Sequence, residues 1–177
     1  MTVTETYVER IAEILHAFGI SEKFRGRKPF TEATELISVG LDIYGREQKL
    51  IPIAAAAWRK MKIAAEKDGA ILLLVSAFRN VAYQWQIIER KLTAGQTMEQ
   101  ILRVSAAPGF SEHHTGRAID VTSPSCKPLM EEFERTFEFE WLSLHAKNFG
   151  FEMSYPRDNK LGVIFEPWHW TFHNSTG

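Results

Sequence analysis

The sequence predicts an α+β fold in which helices pack around a small, mainly antiparallel sheet. Helical and strand-like segments follow one another without the regular alternation that builds a parallel sheet. The short apolar run at 71–75 is typical of a buried central strand. A length of 177 residues suits one domain. We therefore expect a single domain over residues 1–177, with residues 1–50 as an N-terminal helical addition or a lid.

Helices are predicted where apolar residues recur every three or four positions, and strands where they alternate or form a short run. Thr97 is a suitable cap before one helix, and Gly69 ends the alanine-rich helix in which Trp58, Met61 and Ala65 face the core. The predicted helices cover 4–18, 31–36, 53–68, 81–92, 97–104, 130–135 and 140–148. The predicted strands cover 38–44, 71–75, 118–121, 151–153 and 168–172.

Composition excludes several classes of function. The net charge is -1 and no basic run stands out, so we expect no nucleic-acid partner. No stretch reaches the ~18 apolar residues of a membrane span. The single cysteine, Cys126, precludes an intrachain disulfide. The start, residues 1–5, lacks the pattern of a signal peptide. We therefore expect a protein that is cytoplasmic as encoded or exported by another route, unless a signal has been removed.

Two stretches carry the residues for chemistry: residues 111–120 and residues 166–169. Four of their positions, namely 113, 120, 166 and 169, supply two imidazoles and two carboxylates. His113, Asp120 and His169 suit a catalytic zinc ion, which takes three protein ligands and leaves one position for water. Glu166 would remain as the base that takes a proton from the zinc-bound water. The alternative for Glu166 is a carboxylate that orients a ligand histidine.

Strand alternation supports this set of ligands. Residues 118–121 place Asp120 on the face of a strand opposite Ile119 and Val121. Residues 168–172 likewise separate His169 and Thr171 from the aromatic side chains between them. A proline at 167 interrupts the chain just before this strand. The resulting kink would let Glu166 and His169 point at the same metal.

The pattern Ser-x-His-x-x-Gly-x-Ala-x-Asp, followed by Glu-x-Trp-His, resembles that of the VanY-type zinc D-Ala-D-Ala carboxypeptidases and related peptidoglycan peptidases. This wider group includes lysostaphin-type enzymes and the hedgehog signalling domain. Every fixed position of both motifs is present at 111–120 and 166–169. The resemblance covers the chain from the helix that begins at residue 53 to the C-terminus. It implies Zn²⁺ as the cofactor and a peptidoglycan-derived peptide as the substrate.

In this family an arginine and a following glutamine precede the zinc motif, and Arg79 and Gln84 match them here. The resemblance implies that Arg79 binds the substrate or stabilises the oxyanion, for which its planar donor fork is suited. The alternative is a surface arginine in an ion pair. Gln84 would contact the substrate or be solvated on its helix. Ser111 would donate a hydrogen bond to the substrate or support the loop of His113.

Three functions are compatible with the resemblance. The first is a D,D- or L,D-carboxypeptidase that removes a terminal D-Ala from a cell-wall peptide. The second is an endopeptidase of the same fold, such as a phage-like endolysin that cuts the L-alanyl-D-glutamate bond. The third is a binding module that retains zinc without turnover. The presence of Glu166, Arg79 and the full set of ligands counts against the third.

Overall fold

The computed structural model describes residues 3–159 and 163–173. The α-helices are α1 (Val3–Ala17), α2 (Pro52–Lys67), α3 (Val81–Thr93), α4 (Met98–Val104) and α5 (Phe137–His145). The β-strands are β1 (Ile37–Leu41), β2 (Glu47–Leu50), β3 (Leu73–Ser76), β4 (Ala118–Thr122), β5 (Phe151–Met153) and β6 (His169–Phe172). The predicted α+β class is confirmed. Within the described ranges, no helix is long and apolar enough to cross a membrane.

Four strands form the main sheet in the order β3-β4-β6-β5, and every neighbouring pair is antiparallel. The predicted central position of the 71–75 strand is wrong, because β3 lies at the edge of the sheet. The outer side of β3 is covered by the β1–β2 hairpin, where the Ile43 N–H donates to the Leu74 carbonyl at 3.0 Å. This cover explains how an edge strand can be as apolar as a central one.

The main hydrophobic core lies between α2, α5 and one face of the sheet. Trp58, Met61 and Ala65 of α2 are buried there, as predicted. Ile119 and Val121 enter the same core from β4, and the aromatic side chains of residues 168, 170 and 172 enter it from the C-terminal stretch. The predicted alternation is therefore confirmed, and it leaves the opposite face of β4 and β6 for polar side chains.

The N-terminal segment contacts the loop that precedes the 111–120 motif. Ile11 and Leu15 of α1 form a second apolar cluster with Ala107. The predicted helix at 31–36 is wrong, because these residues run as an irregular strap. The strap hydrogen-bonds to the motif loop: the Phe30 N–H donates to the Gly109 carbonyl at 2.8 Å, and the N–H of residue 33 donates to the carbonyl of residue 114 at 2.8 Å. These bonds replace the intrahelical ones that a helix would make.

Candidate metal centre

His113 presents an unpaired nitrogen to the carboxylate of Asp120. The imidazole Nδ1 lies 2.5 Å from the Ala77 carbonyl oxygen. A carbonyl oxygen only accepts hydrogen bonds, so Nδ1 carries the hydrogen and Nε2 presents a lone pair. This Nε2 is buried, has no hydrogen-bond partner among the described residues and lies 3.1 Å from Asp120 Oδ2. A buried lone pair beside a carboxylate is suited to bind a cation.

The pairing of β4 with β6 brings the two ends of the sequence pattern together. Asp120 is directly opposite His169 in the register, and its Oδ1 lies 2.9 Å from His169 Nδ1. His113, Asp120 and His169 are buried and each offers a ligand atom within 4.8 Å of the others. Bonds of about 2.0–2.1 Å to a tetrahedral zinc place ligand atoms roughly 3.3 Å apart. The arrangement of these three side chains therefore fits a divalent metal.

Burial and neighbouring charges shift the pKa values of all three side chains. Burial and the charge of Arg79 lower the pKa of His113 to about 4, which keeps this imidazole neutral. Burial opposes ionisation of Asp120, but His113 and His169 outweigh it and hold its pKa well below the usual range. Burial opposes protonation of His169, but its hydrogen bonds to Asp120 and Glu112 raise its pKa to about 9. A metal ion must therefore compete with a proton at His169.

Glu112 is a functional candidate that sequence analysis missed. Its Oε2 lies 2.9 Å from His169 Nε2 and accepts hydrogen bonds from the hydroxyls of Ser154 at 2.6 Å and Thr171 at 2.7 Å. Burial alone would raise the pKa of Glu112, but its contacts with His169 and the two hydroxyls lower it to about 2. The alternation of 168–172 already placed Thr171 on the same strand face as His169. No local pattern indicated that Glu112 contacts both of these side chains.

Glu166 lies in a turn that begins just before β6. The His169 N–H donates to the Glu166 carbonyl at 3.1 Å, with Pro167 in the position of the turn that its fixed φ favours. Burial, together with the negative charges of Asp120 and Glu112, raises the pKa of Glu166 to about 7, although His169 and Arg79 act in the opposite direction. The Glu166 side chain therefore lies in the electrostatic field of Asp120 and His169, two of the three candidate ligands.

Arg79 lies beside the same carboxylate as the two histidines. Its Nη1 is 3.6 Å from Asp120 Oδ2 and donates to the Ser76 hydroxyl at 3.4 Å. Its Nε is buried and lacks a hydrogen-bond partner among the described residues. Burial lowers the pKa of Arg79, against the charges of Asp120 and Glu166 that raise it. Arg79 is therefore a partly buried cation at the metal centre and not a surface ion pair.

His114, which no sequence argument assigned, links the backbone at Arg79 to the loop that carries the 111–120 motif. Its Nδ1 lies 2.5 Å from the Arg79 carbonyl, and its Nε2 accepts from the Gly109 N–H at 3.1 Å. Ser111 is buried at the start of the short helix that carries His113. Gln84 is buried on α3, where its Nε2 donates to the Ala106 carbonyl at 2.7 Å and its Oε1 has no partner among the described residues.

Two further features border the centre. The ring of Tyr155 lies 4.9 Å from the His169 ring, centroid to centroid, at an interplanar angle of 31°. A cavity of about 320 Å³ opens beside Arg79, between the β1–β2 hairpin and the start of α3. It is lined by Arg46, Glu47, Gln48, Ser76, Phe78, Arg79, Asn80 and Tyr83. Polar and aromatic side chains therefore surround a space beside Arg79 that a peptide could enter.

Comparisons with solved structures show the same fold in peptidoglycan enzymes. The LdcB LD-carboxypeptidase superimposes with a TM-score of 0.70 at 29% identity, over 80% of this chain and 69% of that chain. A variant of the vancomycin-resistance D,D-pentapeptidase VanY, in complex with Zn(II), superimposes with a TM-score of 0.63 at 25% identity, over 81% and 82% of the two chains.

Sequence comparisons agree with this likeness. YodJ of Bacillus subtilis is 35% identical over 120 residues, which are 66% of this chain and 43% of YodJ. A D-alanyl-D-alanine carboxypeptidase of Enterococcus faecalis is 30% identical over 119 residues, which are 62% of this chain and 42% of the relative. The chain thus spans less than half the length of these two relatives. The family model of VanY, described as D-alanyl-D-alanine carboxypeptidase, matches residues 47–175. Because this match includes most of the sequence and both motifs, the chain belongs to the VanY family.

Proposed function

We propose that this protein is a zinc-dependent peptidase that removes the terminal D-Ala from peptides derived from peptidoglycan. The observation that carries the proposal is the convergence of His113, Asp120 and His169, three buried donors within 4.8 Å of one another. Two imidazole nitrogens and one carboxylate are a typical ligand set of catalytic zinc. Two solved relatives that share the fold are named as L,D-carboxypeptidases, VanY is named as a D,D-pentapeptidase, and the Enterococcus faecalis relative is named as a D-alanyl-D-alanine carboxypeptidase. These names favour the removal of a terminal residue.

The bound zinc would supply a Lewis acid that polarises the scissile carbonyl and makes water more acidic. The residues of the chain complete the reaction. Glu166, with its pKa raised to about 7 by burial, takes the proton from the attacking water and returns it to the leaving amine. Arg79 directs its guanidinium to the oxygen that becomes negative or to the terminal carboxylate of the substrate.

Ser111 and Gln84 are proposed to bind the substrate. Gln84 Oε1 has no partner among the described residues. Because the side chain is buried, Oε1 would accept from a substrate N–H only once the loop at Ala106, to which Gln84 Nε2 donates, moves aside. Ser111 adjoins the loop of His113 and is buried at the same site. Its hydroxyl is suited to a directed hydrogen bond with a bound peptide.

The test of the proposal combines Glu166→Gln with a panel of defined muropeptides. Glu166→Gln keeps the shape of the side chain and removes the base, so we expect kcat to fall by about 10²–10⁴-fold while zinc stoichiometry stays the same. Glu99→Gln is the matched control, because Glu99 is an exposed carboxylate on α4. Full turnover by Glu166→Gln would exclude Glu166 as the base.

Mass spectrometry of the products separates the three candidate functions. Release of free D-Ala supports the carboxypeptidase. Internal cleavage of the stem peptide would instead indicate an endopeptidase of the same fold. Stoichiometric zinc without cleavage of any substrate would indicate a binding module.

A further inference from the structure

We propose that Glu112 is a positioning residue: its carboxylate holds His169 in the tautomer whose Nδ1 faces the metal, and it thereby strengthens zinc binding. The inference deepens the proposed function and rests on it in one respect, that zinc binds between His113, Asp120 and His169. The sequence pattern does not require this role, because Glu112 occupies the variable position between Ser111 and His113.

The contacts of Glu112 converge on a single atom. Oε2 lies 2.9 Å from His169 Nε2 and accepts from the hydroxyls of Ser154 at 2.6 Å and Thr171 at 2.7 Å. Three donors around one oxygen fix the position of the carboxylate more tightly than any of them could alone. The Glu112 side chain is also only 18% exposed, so water competes weakly for these hydrogen bonds.

The geometry selects one nitrogen of His169 for the metal. A carboxylate accepts but does not donate, so Nε2 of His169 carries a hydrogen towards Glu112. Nδ1 also faces a carboxylate, because it lies 2.9 Å from Asp120 Oδ1. Asp120 is the carboxylate that His113 Nε2 contacts as well, so Nδ1 is the nitrogen on the side of the candidate ligands and the one that gives up its hydrogen when a metal binds. A ligand histidine whose other N–H meets a carboxylate is fixed in orientation and becomes a stronger donor to the metal.

His113 provides an internal comparison. Its Nδ1 donates to the Ala77 carbonyl, which leaves Nε2 for the metal. The two histidines therefore face the centre with opposite nitrogens, and the difference lies in which outer partner each one has. A neutral carbonyl holds His113, whereas the charged Glu112 holds His169, so removal of Glu112 affects both the tautomer and the basicity of His169.

The first experiment measures zinc affinity by competition with a chelator for wild type, Glu112→Ala and Glu112→Gln. We expect the dissociation constant of Glu112→Ala to rise about 10–100-fold. Glu112→Gln should lie between wild type and Glu112→Ala, because its amide oxygen still accepts from His169 Nε2 but has no charge. Glu99→Ala, an exposed carboxylate on α4, is the matched control and should bind zinc like the wild type.

The second experiment reads the tautomer directly, from the ¹⁵N chemical shifts of the His169 ring in the zinc-loaded protein. The wild type should show a protonated Nε2 and a metal-bound Nδ1. Glu112→Ala should show weaker protection of the Nε2 hydrogen from exchange with solvent. A merely structural effect of Glu112 on folding would not change this signature at one ring.

Several outcomes overturn the inference. One is a Glu112→Ala protein that binds zinc as tightly as wild type. Another is metal-bound Nε2 in the wild type, and a third is X-ray absorption that shows loss of a zinc ligand in Glu112→Gln, which would make Glu112 a ligand. A wild type that binds no zinc refutes the proposed function together with the role of Glu112. The first three outcomes refute only the role of Glu112, so the two failures are distinguishable. If Glu112→Ala does not fold, Thr171→Val removes one hydrogen bond to Glu112 and should weaken zinc binding to a smaller extent.

Discussion

Replacing Gly109 by alanine tests whether the N-terminal helix is part of the structure that supports the metal centre. Gly109 has a φ of +87°, and a Cβ built on it would lie 2.8 Å from Cγ2 and 2.9 Å from Cδ1 of Ile11. Ile11 is a buried residue of α1. The backbone N–H of Gly109 itself donates to His114. The substitution therefore acts at the contact between α1 and the loop that leads to the ligands.

Two costs combine in Gly109→Ala. A side chain in the left-handed region costs about 1–2 kcal/mol, and overpacking against Ile11 costs about 1–3 kcal/mol. Ile11→Ala alone should cost about 2–5 kcal/mol because it leaves a cavity. In the double variant the new methyl group occupies part of that cavity. The double variant should therefore be more stable than the sum of the two single effects implies, by about 1–3 kcal/mol.

Urea unfolding of the two single variants and the double variant measures this coupling. Gly95→Ala is the matched control, because its φ is +85° but its Cβ would meet nothing within 4 Å. It should cost only the backbone strain and add independently to Ile11→Ala. If Gly109→Ala is no more costly than Gly95→Ala, or if it is additive with Ile11→Ala, the packing of α1 on the loop is refuted.

Two further predictions concern the histidines. Hydrogen bonds to Asp120 and Glu112 outweigh burial and raise the pKa of His169 to about 9 in the folded, zinc-free protein. Protonated His169 therefore stabilises this protein fully below the pKa of an unfolded histidine, about 6.5, and the stabilisation is lost as the pH rises through about 9. Zinc must displace that proton, so its affinity should rise about tenfold per pH unit between pH 6.5 and 8; a calorimetric titration with no pH dependence would contradict this. His114→Phe leaves the Gly109 N–H and the Arg79 carbonyl unpaired, so urea unfolding should show a loss of about 2–5 kcal/mol, and a loss under 1 kcal/mol would show that water replaces these bonds.

Local patterns predicted the two faces of the site because the side-chain period of a strand is a local property. Residues 118–121 and 168–172 separate polar from apolar positions with a period of two, and the structure has the same separation around β4 and β6. Interactions with distant residues account for the two wrong predictions. The strap at 31–36 bonds to the motif loop and not to itself, and β3 is apolar because a hairpin covers its outer edge.

The residues that support the candidate ligands could not be predicted in the same way. Glu112 contacts His169 across 57 positions, and His114 contacts Arg79 across 35 positions. Neither contact produces a periodic signal in the sequence, and neither residue type is unusual in a loop. Both residues flank His113 at positions that the motif does not fix, so the motif does not indicate their contacts, which only the folded structure shows.

The adjacent histidines attach the segment that follows β3 to the loop that carries His113. His113 donates to the Ala77 carbonyl and His114 to the Arg79 carbonyl, while the Arg79 N–H donates to the His113 carbonyl at 3.3 Å. The backbone that carries Arg79 is therefore attached on both sides of this residue to the loop that carries a ligand. Its guanidinium is placed 3.6 Å from Asp120 before any substrate binds. Charged donors held in place by the fold need little reorganisation during a reaction, so this position of Arg79 agrees with the role that we propose for it.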